Sequence, residues 1–308
     1  MAITTMDLLV AAIATAQQKR FYKQSMSTKV IGAWQSMWTA AGEPAAGAAA
    51  GSTAGVVPTS STAGAIAFTD AGAGITSYLA RLQAMGTTQP LCIVLADRLY
   101  HESGFSGTNT GVQSVTSPPA LTRPDNSGAN NELWIEWYTA TGSSSVNLTV
   151  SYNDQNGNAQ TTTFPFQASP VAGQMQAVPL AAGSTGVRSI TSVQLSGTTG
   201  TAGNFGLTIL RRLGEIACLT AASGDNLDAF ALGLPTIYTS ACLFVFCLAG
   251  ATSTGDIRAA SLSRKGSTPC PSGNCPARSR NALATAFPPP LARSSSRCPR
   301  TSSSPAPP

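Results

Sequence analysis

From residue 131 to 213, between NELWIEWYTA and NFGLTILRRL, apolar side chains alternate with Ser, Thr, Asn and Gln through one short run after another. A period of two gives each run one dry face and one wet face, which is the pattern of half-buried β-strands. Leu133, Ile135 and Trp137 share one face of the first strand, and Trp134, Glu136 and Tyr138 share the other. Val146, Leu148, Val150 and Tyr152 continue the alternation up to NDQNGNA, where Asn156-Gly157 marks a hairpin. Thr162, Phe164 and Phe166 mark the returning strand, and Pro165, which cannot donate to a ladder, places it at an edge or at its end. Further strands follow at MQAVPL, GVRSITSVQLS and FGLTILRRL, at a spacing that suits a sandwich. The apolar run from Ala241 to Ala249 falls short of the about 20 residues that cross a membrane. It reads as a final buried strand, or as an aggregation-prone edge if exposed.

The period changes in the N-terminal third. Thr5 is placed to cap a helix with Asp7 in its first turn; Leu9, Ile13 and Ala16 share a face, and Lys19 and Arg20 lie near its end. The rival reading is a signal peptide cut after Ala14-Thr15-Ala16, opposed by Asp7 and by the lack of a basic leader. In STKVIGAWQSMWTAAG, Val30, Trp34, Met37 and Ala41 repeat at helical spacing before Gly42. A Gly/Ala/Pro/Ser-rich segment follows as an extended arm or linker. GITSYLARLQAMG then predicts a third helix with Leu79, Leu82 and Met85 aligned, and LCIVLADRLY a buried strand. The expected fold class is therefore α+β. A helical and extended-arm docking region occupies 1–125, an antiparallel, jelly-roll-like β-sandwich 126–262, and a tail 263–308.

Charge changes this picture little. The chain carries 18 Lys/Arg and 13 Asp/Glu in 308 residues, 10% against about 25% for an average soluble domain, so solubility rests on hydroxyls and amides. Its net charge of +5 belongs to the tail, which holds seven Lys/Arg and no acid, whereas residues 1–262 hold eleven bases against thirteen acids. Phosphate attraction is thus expected only from the tail, and nucleic acid is otherwise not an expected partner. The tail has no apolar periodicity and cannot form a core, so it is expected to be disordered. Two readings are open for it: a basic arm, or out-of-frame translation of a GC-rich gene, favoured because its Arg residues are scattered rather than clustered.

Chemical motifs are sparse. His101, the one histidine, begins His101-Glu102, but Phe105 stands where HExxH needs its second histidine. Asp97, His101 and Glu102 could form a small acid/base cluster at a strand end, but a solvent-facing loop is the favoured reading, since a metal site needs more ligands in closed geometry. Cys92, Cys218, Cys242 and Cys247 lie in apolar settings and read as buried thiols; Cys270, Cys275 and Cys298 lack zinc-knuckle spacing. Walker, dinucleotide and GxSxG signatures are absent from the sequence. No enzyme activity, cofactor, metal or membrane span is expected.

The phrases GSTGVRSITSVQLSGTTGTAGNFGLTILRRLGEI, DLLVAAIATAQQKRFYK and GAWQSMWTAAGEPAAG resemble virion structural proteins of tailed bacteriophages over roughly residues 1–260. That resemblance implies a particle component in many copies, located in the virion, head-associated or tail-associated, whose partners are other virion proteins and copies of itself. The candidate contact residues between subunits are Trp34, Trp38, Arg211, Arg212, Phe244 and Phe246. Two competitors stand beside it: a secreted adhesin or carbohydrate-binding module stacking sugars on Trp134, Trp137 and Tyr138, and a hydrolase working around Asp97, His101 and Glu102.

Overall fold

Strands dominate both halves of the chain. The computed structural model describes residues 5–267, apart from 15, 52, 73, 74, 89, 125, 126 and 223. In order, the elements are α1 (Met6–Ala14), β1 (Gln17–Lys23), β2 (Trp34–Ser36), β3 (Gly42–Glu43), β4 (Ile75–Gly86), β5 (Pro90–His101), β6 (Gln113–Ser114), β7 (Glu132–Thr139) and β8 (Val146–Asp154). There follow β9 (Ala159–Phe166), β10 (Gln174–Ala177), β11 (Val187–Leu195), β12 (Asn204–Ala217), β13 (Gly224–Leu227), α2 (Ala229–Leu232), β14 (Thr236–Ile237), β15 (Leu243–Ala249) and β16 (Ile257–Ser267).

Six strands close into a barrel in the order β10-β2-β15-β5-β12-β7, and two further sheets lie against its wall. The β8 sheet (β6-β11-β8-β9) stacks on β7 and on the first half of β12, where Leu148, Val150, Tyr152, Phe164 and Ile190 meet Leu133, Ile135, Trp137, Phe205 and Leu207. The β16 sheet (β13-β4-β16-β1-β3, with β14 also on β4) covers another flank, where Phe21, Leu79, Leu82 and Ile257 meet Ile93, Leu95, Leu213, Ile216 and Val245. Side chains pointing the other way from these same barrel strands, among them Val94, Trp134, Leu210, Phe244 and Phe246, fill the barrel. The barrel strands are thus buried on both faces, which is why LCIVLADRLY and CLFVFCLAG read as continuous apolar runs.

The α+β expectation is overturned. Helix is confined to α1 and the single turn of α2 among the described residues, and the N-terminal region is not helical. The first predicted helix stops at Ala14, and Lys19 and Arg20 belong to β1. Over 27–42 there is no helix: Val30 is 40% exposed, and β2 places Trp34 and Ser36 on one side of the ladder and Gln35 on the other. The predicted helix 74–86 is β4, a central strand paired with β16 along its length. There the register slips between Leu262 and Ser263, so Ala80 has no partner of its own. This bulge lets Leu79 and Leu82, three residues apart, face the same core, and it imitates helical spacing in the sequence.

From residue 132 onward the predicted strands are present: β7, β8 and β9 with the Gly157 turn (φ 83°) between the last two, then β10, β11, β12 and β15. β9, which carries Pro165, is the outer strand of its sheet. The run Ala241 to Ala249 is no edge, because β15 is hydrogen-bonded to β2 on one side and β5 on the other. β16 continues through Ser267, taking in the first five residues of the expected tail. Residues 268–308 lie outside the described part.

Candidate functional site

Two of the most deeply enclosed charged groups among the described residues, Arg98 and Glu136, lie inside the barrel. Along β5 the side chains of Cys92, Val94, Ala96 and Arg98 point inward, and those of Ile93, Leu95 and Asp97 point outward. The small inward residues leave space for Phe244 and Phe246 on the neighbouring β15, and for Trp38 and Trp134. Arg98 follows them with 0% exposure, its guanidinium held between the rings of Trp38 and Phe244 at 4.4 Å from each centroid. Glu136, 1% exposed on β7, meets it with Oε2 at 2.8 Å from one terminal nitrogen and Oε1 at 3.2 Å from the other. A buried charge is tolerated only when paired and hydrogen-bonded, and this pair meets both conditions. The Tyr138 and Thr208 hydroxyls each donate to Glu136 Oε2 at 3.1 Å.

His101 closes this cluster, its Nδ1 lying 3.2 Å from an Arg98 nitrogen and 3.4 Å from the Tyr138 hydroxyl. Arg98 and His101 share the interior because the β5–β12 register slips between Ile209 and Leu210, leaving Leu99 as an extra residue. Burial, and then the neighbouring Arg98 charge, push the His101 pKa down to about 3, so the imidazole is neutral. Burial is the largest influence and opposes both charges of the ion pair, but the partner and the neighbouring groups together outweigh it: Glu136 is held below the usual carboxylate range and Arg98 above its own. The arrangement is a buried, charge-balanced clamp. Among the described residues no group of three His, Cys, Asp or Glu side chains is placed to hold a metal ion.

Asp97, His101 and Glu102, the expected acid/base cluster, are not brought together. Asp97 faces outward and takes two hydrogen bonds from Arg123, both at 3.1 Å, and one from the Cys242 backbone at 2.8 Å. Arg123 also donates to the carbonyls of Pro58 and Arg98, at 2.9 and 3.0 Å, tying two loop segments to the barrel wall. Glu102 is buried beyond the end of the barrel. Tyr100 donates to its Oε2 at 2.6 Å, Oε1 has no partner, and burial raises its pKa to about 8 despite the Tyr100 bond.

Of the residues expected at subunit contacts, Trp38, Phe244 and Phe246 point into the barrel and are 1% exposed or less. Arg212 keeps 31% exposure at the barrel mouth, bonded to Glu132 at 2.7 Å and Glu215 at 2.8 Å, over the rings of Trp34 and Phe246. Arg211 donates to the Thr236 carbonyl and stacks on Tyr238 at 4.7 Å. The sugar-stacking platform is absent as a surface: Trp134 enters the barrel, and Trp137 packs on Phe166 beneath the β8 sheet. Cys92, Cys218, Cys242 and Cys247 are buried free thiols, and burial drives those of Cys242 and Cys247 up to about 12. The other three cysteines lie outside the described residues.

Sequence reasoning missed Arg98, Arg123 and the role of Glu136. One signal was available: Arg98 and Glu136 each stand inside an apolar run, where a lone charge needs a partner. Which charge pairs with which is not written in the spacing.

The outward face of the β8 sheet carries hydroxyls and amides, with Arg188 as an exposed charge. Thr149 bonds Thr163 across the strands at 2.9 Å, Ser151 bonds Thr161 at 3.5 Å, and Asn153 donates to Ser189 at 2.8 Å.

No family model matches the sequence, and no curated protein matches it. Similarities among solved structures include infectious bursal disease virus of the Gt strain, 10% identical over 83% of this chain and 82% of that chain, with a TM-score of 0.17. The VP2 subviral particle of that virus is 8% identical over 83% and 81%, with a TM-score of 0.18. Its derived T=1 particles are 10% identical over 83% and 79%, also at 0.18. TM-scores this low leave no common superposition, so the likeness bears on neither the fold nor the role of this chain.

Proposed function

We propose that this protein is a structural component of a virus particle, that of a tailed bacteriophage, acting through packing against copies of itself and other virion proteins. The observation that carries this reading is the filled barrel. Four large aromatic side chains and a neutralised ion pair occupy the interior, where a ligand-binding barrel would keep a cavity. What the molecule offers outside includes the β8 sheet, whose outward face presents hydroxyls and amides that can hydrogen-bond to a neighbour with little charge to desolvate. Low overall charge suits a chain that functions in a closed assembly.

Sedimentation and negative-stain microscopy of the purified chain at micromolar concentration test it. Closed oligomers or particles are expected, and a monodisperse monomer that joins no assembly with other virion proteins overturns the reading. Assignment to a tailed phage is tested by locating the gene: neighbours encoding portal, capsid or tail-tube proteins are expected. The hydrolase alternative would require the purified protein to cleave peptidoglycan or polysaccharide and to lose that activity in His101→Ala.

A further inference from the structure

A balanced net charge over residues 1–267 conceals a segregated one. The strands of the β16 sheet hold seven Lys/Arg against two acids, Glu43 and Asp225, a net of +5. The rest of residues 1–267 holds six bases against eleven acids, a net of −5, and the strands of the β8 sheet contain one base and one acid, Arg188 and Asp154. The three central strands β1, β16 and β4 carry no acid at all. Beyond them, residues 268–308 add five Arg and no acid.

Burial decides which of these charges face out. Lys23 is turned inward, 3% exposed, donating to the carbonyls of Ala40 at 3.2 Å and Pro44 at 2.9 Å. Arg20 on β1, Arg258 on β16 and Arg81 on β4 are exposed. Arg258 lies over the Tyr22 ring at 5.5 Å, and Arg81 is steadied by Asn226 Oδ1 at 2.6 Å. Arg20, Tyr22, Glu43, Gln83, Met85 and Arg258 line an open groove of about 510 Å³, with two bases against one acid. With strands about 4.8 Å apart, arginines on β1 and β4 stand roughly 10 Å apart across β16. That span meets several phosphates of a strand carrying one per about 3.4 Å. The guanidinium fork matches phosphate oxygens, and Tyr22 adds an aromatic surface beside it.

We propose that the outward face of the β1–β16–β4 sheet binds the phosphate backbone of the nucleic acid enclosed by the particle. The proposal rests on the particle reading above and adds an orientation to it: the basic sheet faces the packaged polyanion, and the β8 face, with Arg188 as its exposed base, looks elsewhere.

The test is the salt dependence of binding of the full chain to a short mixed-sequence DNA duplex, followed by fluorescence anisotropy. Each phosphate that is no longer neutralised lowers the slope of log affinity against log salt by about 0.9. The combined variant Arg20→Gln, Arg81→Gln, Arg258→Gln is expected to lose about two to three in slope. The charge-conserving combination Arg20→Lys, Arg81→Lys, Arg258→Lys is expected to retain most of it. A further full-length variant, with the five Arg of 268–308 changed to Gln, separates the tail from the sheet. Binding that vanishes in the tail variant and is unchanged in the sheet variant overturns the proposal, as does a parent chain that does not bind at low salt. Sedimentation of the same samples keeps the two readings apart. Particles that form without binding DNA sink this inference alone, and a monomer that binds DNA through the sheet sinks the particle reading and the inward orientation while leaving the phosphate-binding face.

Discussion

Arg98 and Glu136 meet at 2.8 Å inside the barrel although β12 lies between their strands in the wall. They reach one another over Thr208, whose hydroxyl bonds the carboxylate, and the Trp38 and Phe244 rings cover both faces of the guanidinium. The contact spans β12 on the inner face of the wall, so it forms once β5, β12 and β7 are paired.

Breaking that pair from one side leaves an uncompensated buried charge. Arg98→Met or Glu136→Gln is expected to destabilise the fold by about 3–5 kcal/mol. Converting both residues to apolar ones of similar volume is expected to cost much less than the sum. Denaturant unfolding of the two single variants and the double variant checks this, and additive losses would mean that the residues do not act as a pair.

Two buried groups set an expected pH profile. His101 is depressed from 6.5 to about 3, so the unfolded chain binds more protons between those values and stability is lost as pH falls through them. Glu102 is raised from 4.5 to about 8, so the folded chain binds more protons there and stability is lost as pH rises from 4.5 to 8. Their effects offset between the two ordinary values and add nothing to each other outside them, giving a plateau on the acid side of neutrality. Glu102→Gln is expected to gain on the parent chain as pH rises, reaching on the order of 4 kcal/mol above pH 8. Melting curves across that range decide it; a gain independent of pH would mean that the carboxyl is ionised in the fold.

Phe244 lies in the barrel, 1% exposed and beside Arg98. Phe244→Lys therefore brings a second cation against the first and is expected to abolish folding, not to tune association. Phe244→Leu is expected to fold with a moderate loss and an unchanged oligomeric state. A folded, soluble Lys variant with altered sedimentation would place this side chain at a subunit contact instead.

The last rungs of β16 pair Ser263 with Leu79 and Ser267 with Ile75. A chain ending at residue 262 leaves the first half of β4 without its partner, so it is expected to unfold at lower denaturant than a chain ending at 267. Equal stability of the two truncations would show that these rungs contribute nothing.

Alternation alone located β7, β8, β9, β11 and β12, because a strand with one face toward a core must repeat every two residues whatever lies opposite. It also sorted Trp134, Glu136 and Tyr138 from Leu133, Ile135 and Trp137, although it took the first set for a wet face. Sequence cannot distinguish solvent from the inside of a barrel that happens to hold Glu136, Tyr138 and Arg98. The helices expected at 27–42 and 74–86 failed for a different reason. Leu79 and Leu82 stand three apart, as on a helix, and only the pairing of β4 with β16 shows that a bulge at Ala80 accounts for it. The bulge at Leu99 likewise sets Arg98 and His101 on one face. Period and composition are local and survive in the sequence. Bulges, barrel closure and the choice of Glu136 as partner for Arg98, of Arg123 for Asp97, depend on strands distant along the chain, and only the tertiary structure brings those together.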